Sequence, residues 1–306
     1  MKIWLAMLLL AISNLSQAET WRFGLIGDVP YSDYERRELP QMLQAINDRQ
    51  VQFIAHIGDF KHGKDRCDDS LFEDRYQLFN ASPTAFIYVP GDNEWTDCER
   101  LSNGAYNPLE RLNKLRSLFW NDSFSLGKNK LALERQPSAY KEHSRFRIGP
   151  VLFVTLNLPG GNNNFGLTQI PSTEFRARNP VVVAWLKESF ALARQEKLAG
   201  IVLLFQANPG FKHFSQGLVH QGFREFLEIL HAETLNFSGQ VVAVHGDTHI
   251  SRIDHPLRDA QGKVLPNFTR VETFGYPIMG WTRGIIDTNS PSLFSFETYP
   301  WPAKAQ

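Results

Sequence analysis

Short apolar runs alternate with amphipathic stretches along the first third of the chain. The pattern predicts three strands and two intervening helices, at residues 23–27, 38–49, 51–58, 70–80 and 85–90. This βαβαβ order is typical of an α/β fold whose sheet is at least partly parallel, with right-handed crossovers and covered faces.

The remaining pattern continues this architecture and adds a different ending. It predicts a helix, a hairpin and then alternating helices and strands, at residues 108–120, 140–148 with 151–156, 181–197, 201–205, 223–230 and 241–245. Short strands at 268–272, 284–287 and 293–297 then indicate an antiparallel section. Because no internal repeat or long linker interrupts the chain, residues 19–306 are expected to form one domain.

Charge composition gives no support to a polyanionic partner. Lys plus Arg and Asp plus Glu both number 32, so no overall field favours nucleic acid or an anionic membrane. Any function that depends on charge must therefore be local.

The first 18 residues are typical of a secretory signal peptide. Lys2 precedes an apolar run at residues 3–12, and Ser16 and Ala18 are the small residues expected before a cleavage site. A transmembrane anchor is the alternative, but the run is shorter than the ~20 residues that span a bilayer. We therefore expect cleavage after Ala18, export to a periplasmic or extracellular location, and no membrane span in the mature protein.

Export also bears on Cys67 and Cys98, the two cysteines of the chain. In an oxidising compartment a disulfide between them is the simplest interpretation. The alternative is a pair of free thiols in a reducing cytosol.

The step Gly-Asp occurs four times, whereas the Gly and Asp content predicts about one occurrence by chance. Every occurrence follows a predicted strand, and the aspartates are Asp28, Asp59, Asp92 and Asp247. Because strand ends converge at one edge of an α/β sheet, these side chains should face one another. Mutual repulsion would raise their pKa values, so the arrangement favours a cation site. Ordinary turn or helix-capping chemistry is the alternative for any single step.

In chain order the motifs read Gly-Asp, Gly-Asp, Gly-Asp-Asn-Glu, Gln-Ala-Asn-Pro and Gly-Asp-Thr-His. This series resembles the calcineurin-like metallophosphoesterase superfamily, which includes the purple acid phosphatases, over residues 23–249. The resemblance implies a four-layer αββα sandwich of two mixed sheets flanked by helices. It also implies a dinuclear metal centre that hydrolyses a small phosphomonoester or phosphodiester through attack by a metal-bound hydroxide.

The resemblance assigns roles to individual residues. Asp28 would bind the first metal, Asp59 would bridge the two metals, and Asp92 and Asp247 would bind the second. His249 matches a histidine ligand. Gln206 stands near the position of another histidine and could offer its carbonyl oxygen, although a hydrogen-bonded loop amide is the alternative.

Two departures from the family pattern change the expected chemistry. Pro30 replaces a histidine ligand that often follows the first aspartate, and His62 could substitute for it or be an ordinary solvated loop residue. Asn93 occupies the place of the histidine that protonates the leaving group. Because an amide cannot donate a proton in that role at neutral pH, His62, His213 or a metal-bound water would have to do so.

The replacement of nitrogen by oxygen ligands also affects the choice of metal. The first site should accept manganese, iron or zinc, and the second a harder cation such as magnesium, manganese or calcium. A protein that binds a metal or another ligand without catalysis is the alternative function, because Asn93 removes the expected proton donor.

Overall fold

A computed structural model of the protein describes residues 19–302, so the predicted signal segment lies outside the described residues. The first of two sheets contains, in spatial order, β12 (Phe294–Pro300), β11 (Gly280–Asp287), β1 (Thr20–Ile26), β2 (Phe53–Ile57) and β3 (Ala85–Val89). The second contains β4 (Glu134–Arg135), β5 (Ser144–Ile148), β6 (Val151–Thr155), β7 (Gly200–Leu204), β8 (Gln240–His245), β10 (Phe268–Glu272) and β9 (Arg252–Asp254).

Helices cover the outer face of each sheet. The first sheet packs against α1 (Asp33–Asn47), α2 (Asp69–Asn80) and α3 (Pro108–Phe119), and the second against α5 (Thr173–Gln195) and α7 (Gln221–Leu235). Single turns form α4 (Gly160–Asn163) and α6 (Phe211–Phe214), and 3-10 turns cover Thr96–Glu99 and Leu101–Asn103.

A third apolar core lies between the sheets. Phe23 and Phe53 of the first sheet contact Phe153 of the second, with ring centroids 5.1 and 5.0 Å apart. The central strands β2, β3, β6 and β7 are buried on both faces, because each sheet has a helical layer on one side and the other sheet on the other. The layers therefore follow the order αββα, which confirms the fold expected from the sequence.

Two helices begin well before the predicted residues. The side chain of Ser32 accepts a hydrogen bond from the Glu35 amide, so α1 begins at Asp33 instead of residue 38. Ser172 caps α5 in the same way, so α5 begins at Thr173, eight residues before the predicted start at 181. Apolar periodicity missed both first turns because these turns are polar and precede the part of the helix that packs on a sheet.

The last part of the chain is only partly antiparallel, which corrects the prediction for this section. Strand β10 pairs parallel to β8, whereas β9 is antiparallel to β10. Strand β11 is antiparallel to both β1 and β12 and thereby completes the first sheet. The final strands are thus divided between the two sheets.

The predicted disulfide between Cys67 and Cys98 is confirmed. Its sulfur atoms lie 3.6 and 3.7 Å from the main-chain carbonyl oxygen of Asn93. The bond therefore supports the loop that follows β3. Within residues 19–302, no helix combines the length and the apolar character that a membrane crossing requires.

Candidate active site

The ends of β1, β2, β3 and β8 bring the four Gly-Asp steps together. The main-chain amide of Asp28 donates to the carbonyl of Gly58, at 3.0 Å. The amide of Asp247 donates to both carboxylate oxygens of Asp28, at 3.1 and 3.2 Å. The aspartates therefore face one another as expected, but they come from strand ends of both sheets and not from one edge of a single sheet.

Three of the four aspartates themselves adopt the left-handed backbone conformation. The φ angles are 51° at Asp28, 58° at Asp59 and 76° at Asp247. Side chains other than glycine rarely take this conformation outside tightly constrained sites. The sharp turns expected at the glycines are thus made largely by the residues that carry the carboxylates.

The preceding glycines are needed chiefly for space. A Cβ atom on Gly91 would lie 2.0 Å from the Asp59 carboxylate, and one on Gly246 would lie 2.2 Å from that of Asp28. Both distances are far below van der Waals contact. Two of the four steps therefore supply one carboxylate and also make room for that of another step.

Asp59 lies at the centre of the site and is almost fully buried. One carboxylate oxygen accepts a hydrogen bond from the main-chain amide of Asn93. The other accepts hydrogen bonds from Tyr31 Oη and Gln206 Nε2. Each of these three bonds is 3.1 Å long. Burial raises the pKa of Asp59 well above its usual value, and the negative charge of Asp92 raises it further.

Tyr31 is the main functional candidate that the sequence motifs do not assign. Its hydroxyl lies 3.4 Å from an oxygen of Asp28 and accepts a hydrogen bond from Asn93 Nδ2 at 2.9 Å. Burial raises the pKa of Tyr31 well above its usual value, and the charge of Asp59 adds to this. The feature of the sequence that could have identified Tyr31 is its position three residues after Asp28, which brings an aromatic side chain back over the strand end.

His249 is oriented towards Asp28. Its Nδ1 must carry a proton, because this atom lies 2.8 Å from the main-chain carbonyl of Tyr276, which can only accept. Its Nε2 lies 3.5 Å from the carboxylate of Asp28, which raises the pKa of the ring. A histidine held by a carbonyl at one nitrogen, with the other facing a carboxylate, is the arrangement common among metal-binding histidines.

Asp92 and Asp247 form the more oxygen-rich side of the site. One oxygen of Asp92 is buried without a hydrogen-bond partner among the described residues. Asp247 accepts the Asn208 amide at 3.0 Å, and burial, followed by the charge of Asp92, raises its pKa to about 7. An unpartnered carboxylate oxygen in this position is suited to a cation.

Gln206 is brought to the site, but both ends of its amide are engaged. Its Oε1 accepts the Gly160 amide at 2.6 Å, while Nε2 donates to Asp59. Its carbonyl oxygen thus already accepts a main-chain hydrogen bond. This geometry favours the hydrogen-bonding interpretation of Gln206 over the ligand interpretation.

The three proposed catalytic residues fall in different places. The ring of His62 meets that of Tyr31 edge to face, with centroids 5.5 Å apart, and its Nδ1 accepts the Lys64 amide. Asn93 contacts Tyr31 and Asp59, as described above. His213 lies on α6 and shares a surface groove with Leu218, Val219 and His220, a group that includes none of the aspartates.

Glu94 fixes the loops that carry two of the steps. Its Oε1 accepts hydrogen bonds from the amides of Asp59 and Gly91, at 3.0 and 2.7 Å, and from the hydroxyl of Tyr88. Burial raises the pKa of Glu94 to about 7. It therefore acts on the site through the backbone.

The donor set was also examined as a metal centre. Between residues 19 and 302, no group of three or more His, Cys, Asp or Glu side chains is placed so that it could hold a metal ion. The charged and polar atoms nevertheless suit divalent cations, because buried carboxylates raise one another's pKa values and Asp92 keeps an unpartnered oxygen.

Comparisons with known proteins agree with this fold. Residues 22–255 match the family model of the calcineurin-like phosphoesterases. A dimetal phosphatase from Danio rerio has a TM-score of 0.50 and 14% identity, with 88% of this chain and 95% of that chain covered. A purple acid phosphatase from yellow lupin (Lupinus luteus) seeds has a TM-score of 0.53 and 11% identity, with 93% of this chain and 52% of that chain covered. No curated protein sequence is a significant match. At these identities the structural similarity shows the fold alone.

Proposed function

Because the chain belongs to the calcineurin-like phosphoesterase family, we propose that it is a metal-dependent phosphoesterase that hydrolyses a small phosphomonoester or phosphodiester. The observation that carries the proposal is the convergence of Asp28, Asp59, Asp92 and Asp247 around one buried centre. A structural role alone does not account for carboxylates held where their charges repel one another.

Two divalent ions would be held by opposite sides of this centre. Asp28 and His249 would bind the first, Asp92 and Asp247 the second, and Asp59 would lie between them. His62 is a further candidate for the first ion. When bound, such ions supply a nucleophile from water at neutral pH and neutralise charge on the phosphoryl group. Imidazole at the first position suits manganese, iron or zinc, and the oxygen donors suit magnesium, manganese or calcium.

Tyr31 and Asn93 would keep Asp59 in place. The side-chain amide of Asn93 donates a hydrogen bond to the Tyr31 hydroxyl, and this hydroxyl donates one to Asp59. This chain of hydrogen bonds fixes the orientation of the central carboxylate. Asn93 Nδ2 also donates to the Lys61 carbonyl, and an amide is too weak an acid to protonate a leaving group. His62 is the better candidate donor, because it touches Tyr31 whereas His213 lies in a separate group.

Turnover of p-nitrophenyl phosphate and its bis ester tests the proposal. The purified protein should be assayed with manganese, magnesium, zinc, iron and calcium in turn, beside Asp59→Asn, which preserves the side-chain shape. We expect metal-dependent hydrolysis by the wild type. Turnover should fall by at least about 100-fold in Asp59→Asn, since Asp59 would lie between the two metal ions. If no metal produces turnover above that of Asp59→Asn, the protein is not a phosphoesterase.

The second candidate is a binding protein without catalysis, and Asn93 is the observation that favours it. Calorimetry with manganese and inorganic phosphate separates the two functions. Metal and phosphate binding without any hydrolysis would support the binding protein, whereas binding with turnover supports the enzyme.

We also propose that the protein is exported. The apolar run at residues 3–12 and the small residues before residue 19 support export, as does the disulfide, since such bonds persist in oxidising compartments. Mass spectrometry of the protein from an oxidising compartment should give Glu19 as the first residue. An intact chain that begins at Met1 and is recovered only from the cytosol would contradict export.

A further inference from the structure

The turn between β10 and β11 forms one wall of the aspartate site. It is closed by a hydrogen bond from the Ile278 amide to the Gly275 carbonyl, 3.1 Å long. A Cβ atom on Gly275 would lie 2.8 Å from the Cβ of Asp28 and 2.7 Å from the ring of His249. The turn therefore packs directly on two of the residues proposed to hold the first metal.

This turn presents large apolar side chains to solvent. Tyr276 is 42% exposed and Ile278 is 58% exposed. Ile250, which follows His249 directly, is 53% exposed. Exposed aromatic and aliphatic surface beside a cluster of polar groups is a common feature of ligand sites, which combine apolar walls with a few polar groups.

The exposed ring is linked to the centre through Tyr31. The rings of Tyr276 and Tyr31 are stacked, with centroids 6.2 Å apart and planes inclined by 25°. His62 meets Tyr276 edge to face, at 6.3 Å. Since the Tyr31 hydroxyl donates to Asp59, only one residue separates the Tyr276 ring from the central carboxylate.

We propose that Tyr276, with Tyr31 and His62, forms a subsite for an aromatic ring in the alcohol part of the phosphate ester. The proposal rests on the proposed phosphoesterase function and names its substrate class. A phosphoryl group at the aspartates would leave its ester substituent beside Tyr276. An aromatic substituent gains both apolar burial and ring contact there, whereas a short alkyl group gains neither.

A pair of substrates isolates this contact. Phenyl phosphate and methyl phosphate carry the same charge, and only the first carries a ring. In Tyr276→Ala we expect the ratio of their kcat/KM values, phenyl over methyl, to fall about three- to tenfold, the usual contribution of an aromatic pair. Tyr276→Phe should keep the ratio. Both Tyr276 variants retain the main-chain carbonyl that accepts the hydrogen bond from His249, so the contact to this proposed metal ligand is preserved.

Tyr34→Ala provides the matched control, because Tyr34 is a comparably exposed tyrosine outside this group of rings. It should leave the ratio unchanged. If Tyr276→Ala is unfolded by thermal melting, Tyr276→Leu serves instead, since it keeps apolar bulk and removes the ring. An unchanged ratio in a folded Tyr276 variant overturns the subsite while the phosphoesterase function stands.

Binding separates failure of this proposal from failure of the function. Phenylphosphonate and methylphosphonate are not hydrolysed and can be compared by calorimetry with the manganese-loaded protein. Tighter binding of phenylphosphonate, lost in Tyr276→Ala, supports the subsite even if no ester is hydrolysed. Equal affinities, or no binding of either phosphonate, overturn it.

Discussion

Asp247 is a carboxylate held among other carboxylates, so its ionisation opposes folding. Its pKa is raised to about 7 from an ordinary value near 3.8. The folded protein therefore binds a proton that the unfolded chain has released, and stability is lost as the pH rises from about 4 to about 7. Asn208 donates its amide to Asp247, and an asparagine carbonyl could accept the same bond.

Replacing Asp247 with Asn should remove this loss of folding stability at higher pH. In metal-free protein at pH 8 we expect the free energy of unfolding to rise by about 2 to 4 kcal/mol, with little change near pH 4. Urea unfolding in the presence of a chelator measures both values. Asp48→Asn, at an exposed position, is the control and should change neither. Equal effects of Asp247→Asn at both pH values would contradict this account.

Asn93 is the residue at which the site departs most clearly from acid-assisted hydrolysis. Its side chain contacts Tyr31 beside Asp59, so an imidazole at this position would bring a proton donor to the centre. We expect Asn93→His to raise kcat for methyl phosphate by about 100-fold, and much less for p-nitrophenyl phosphate, whose leaving group needs little protonation. Comparison with Asn93→Gln controls for side-chain size. A similar increase with both esters would argue against a proton-donor effect.

The loop after β3 depends on the Cys67–Cys98 disulfide, which closes a segment with a sequence separation of 31. We expect Cys67→Ala/Cys98→Ala to lower the free energy of unfolding by about 2 to 4 kcal/mol, because the unfolded chain gains freedom. Urea unfolding with and without dithiothreitol provides the measurement. The reductant should destabilise the wild type by a similar amount and leave the double variant unchanged. An unaffected wild type would show that the disulfide is not structural.

The ends of the strands could be predicted from the sequence because each combines a buried apolar run with a Gly-Asp step. That signal located all four aspartates, although strand order within one sheet brings together only those after β1, β2 and β3, and packing of the two sheets adds Asp247. The starts of α1 and α5 could not be found in the same way, because they are specified by the caps Ser32 and Ser172, which carry no apolar periodicity.

Side-chain orientation was the part that the sequence left open. Gln206 could be placed near the site from its strand, but whether its carbonyl faces a metal or the Gly160 amide depends on a contact between distant segments. The same holds for Tyr31, whose hydroxyl reaches Asp59 only after two strands have paired. Such contacts have no local signature in the chain.

Across the whole molecule, two groups of buried side chains respond to pH in opposite directions. Burial lowers the pKa values of His56 and His143 to about 4, from 6.5, so their contribution to stability is lost as the pH falls through this range. The site carboxylates, whose pKa values are raised, destabilise the fold as the pH rises from about 4 to about 7. Without metal these effects partly cancel, which should give a broad stability maximum in mildly acidic solution.

A bound divalent ion should remove the destabilising effect of the site carboxylates. The ion would compensate the carboxylate charges and so abolish the loss of stability at higher pH, while the effect of the histidines remains. It also stabilises the folded state because it binds that state alone. We expect manganese to raise the melting temperature more at pH 8 than at pH 5, and to move the maximum to higher pH. Thermal unfolding at four pH values, with manganese or with a chelator, measures the shift, and Asp59→Asn should reduce it. An equal increase at every pH, or none, would mean that cations do not act through these carboxylates.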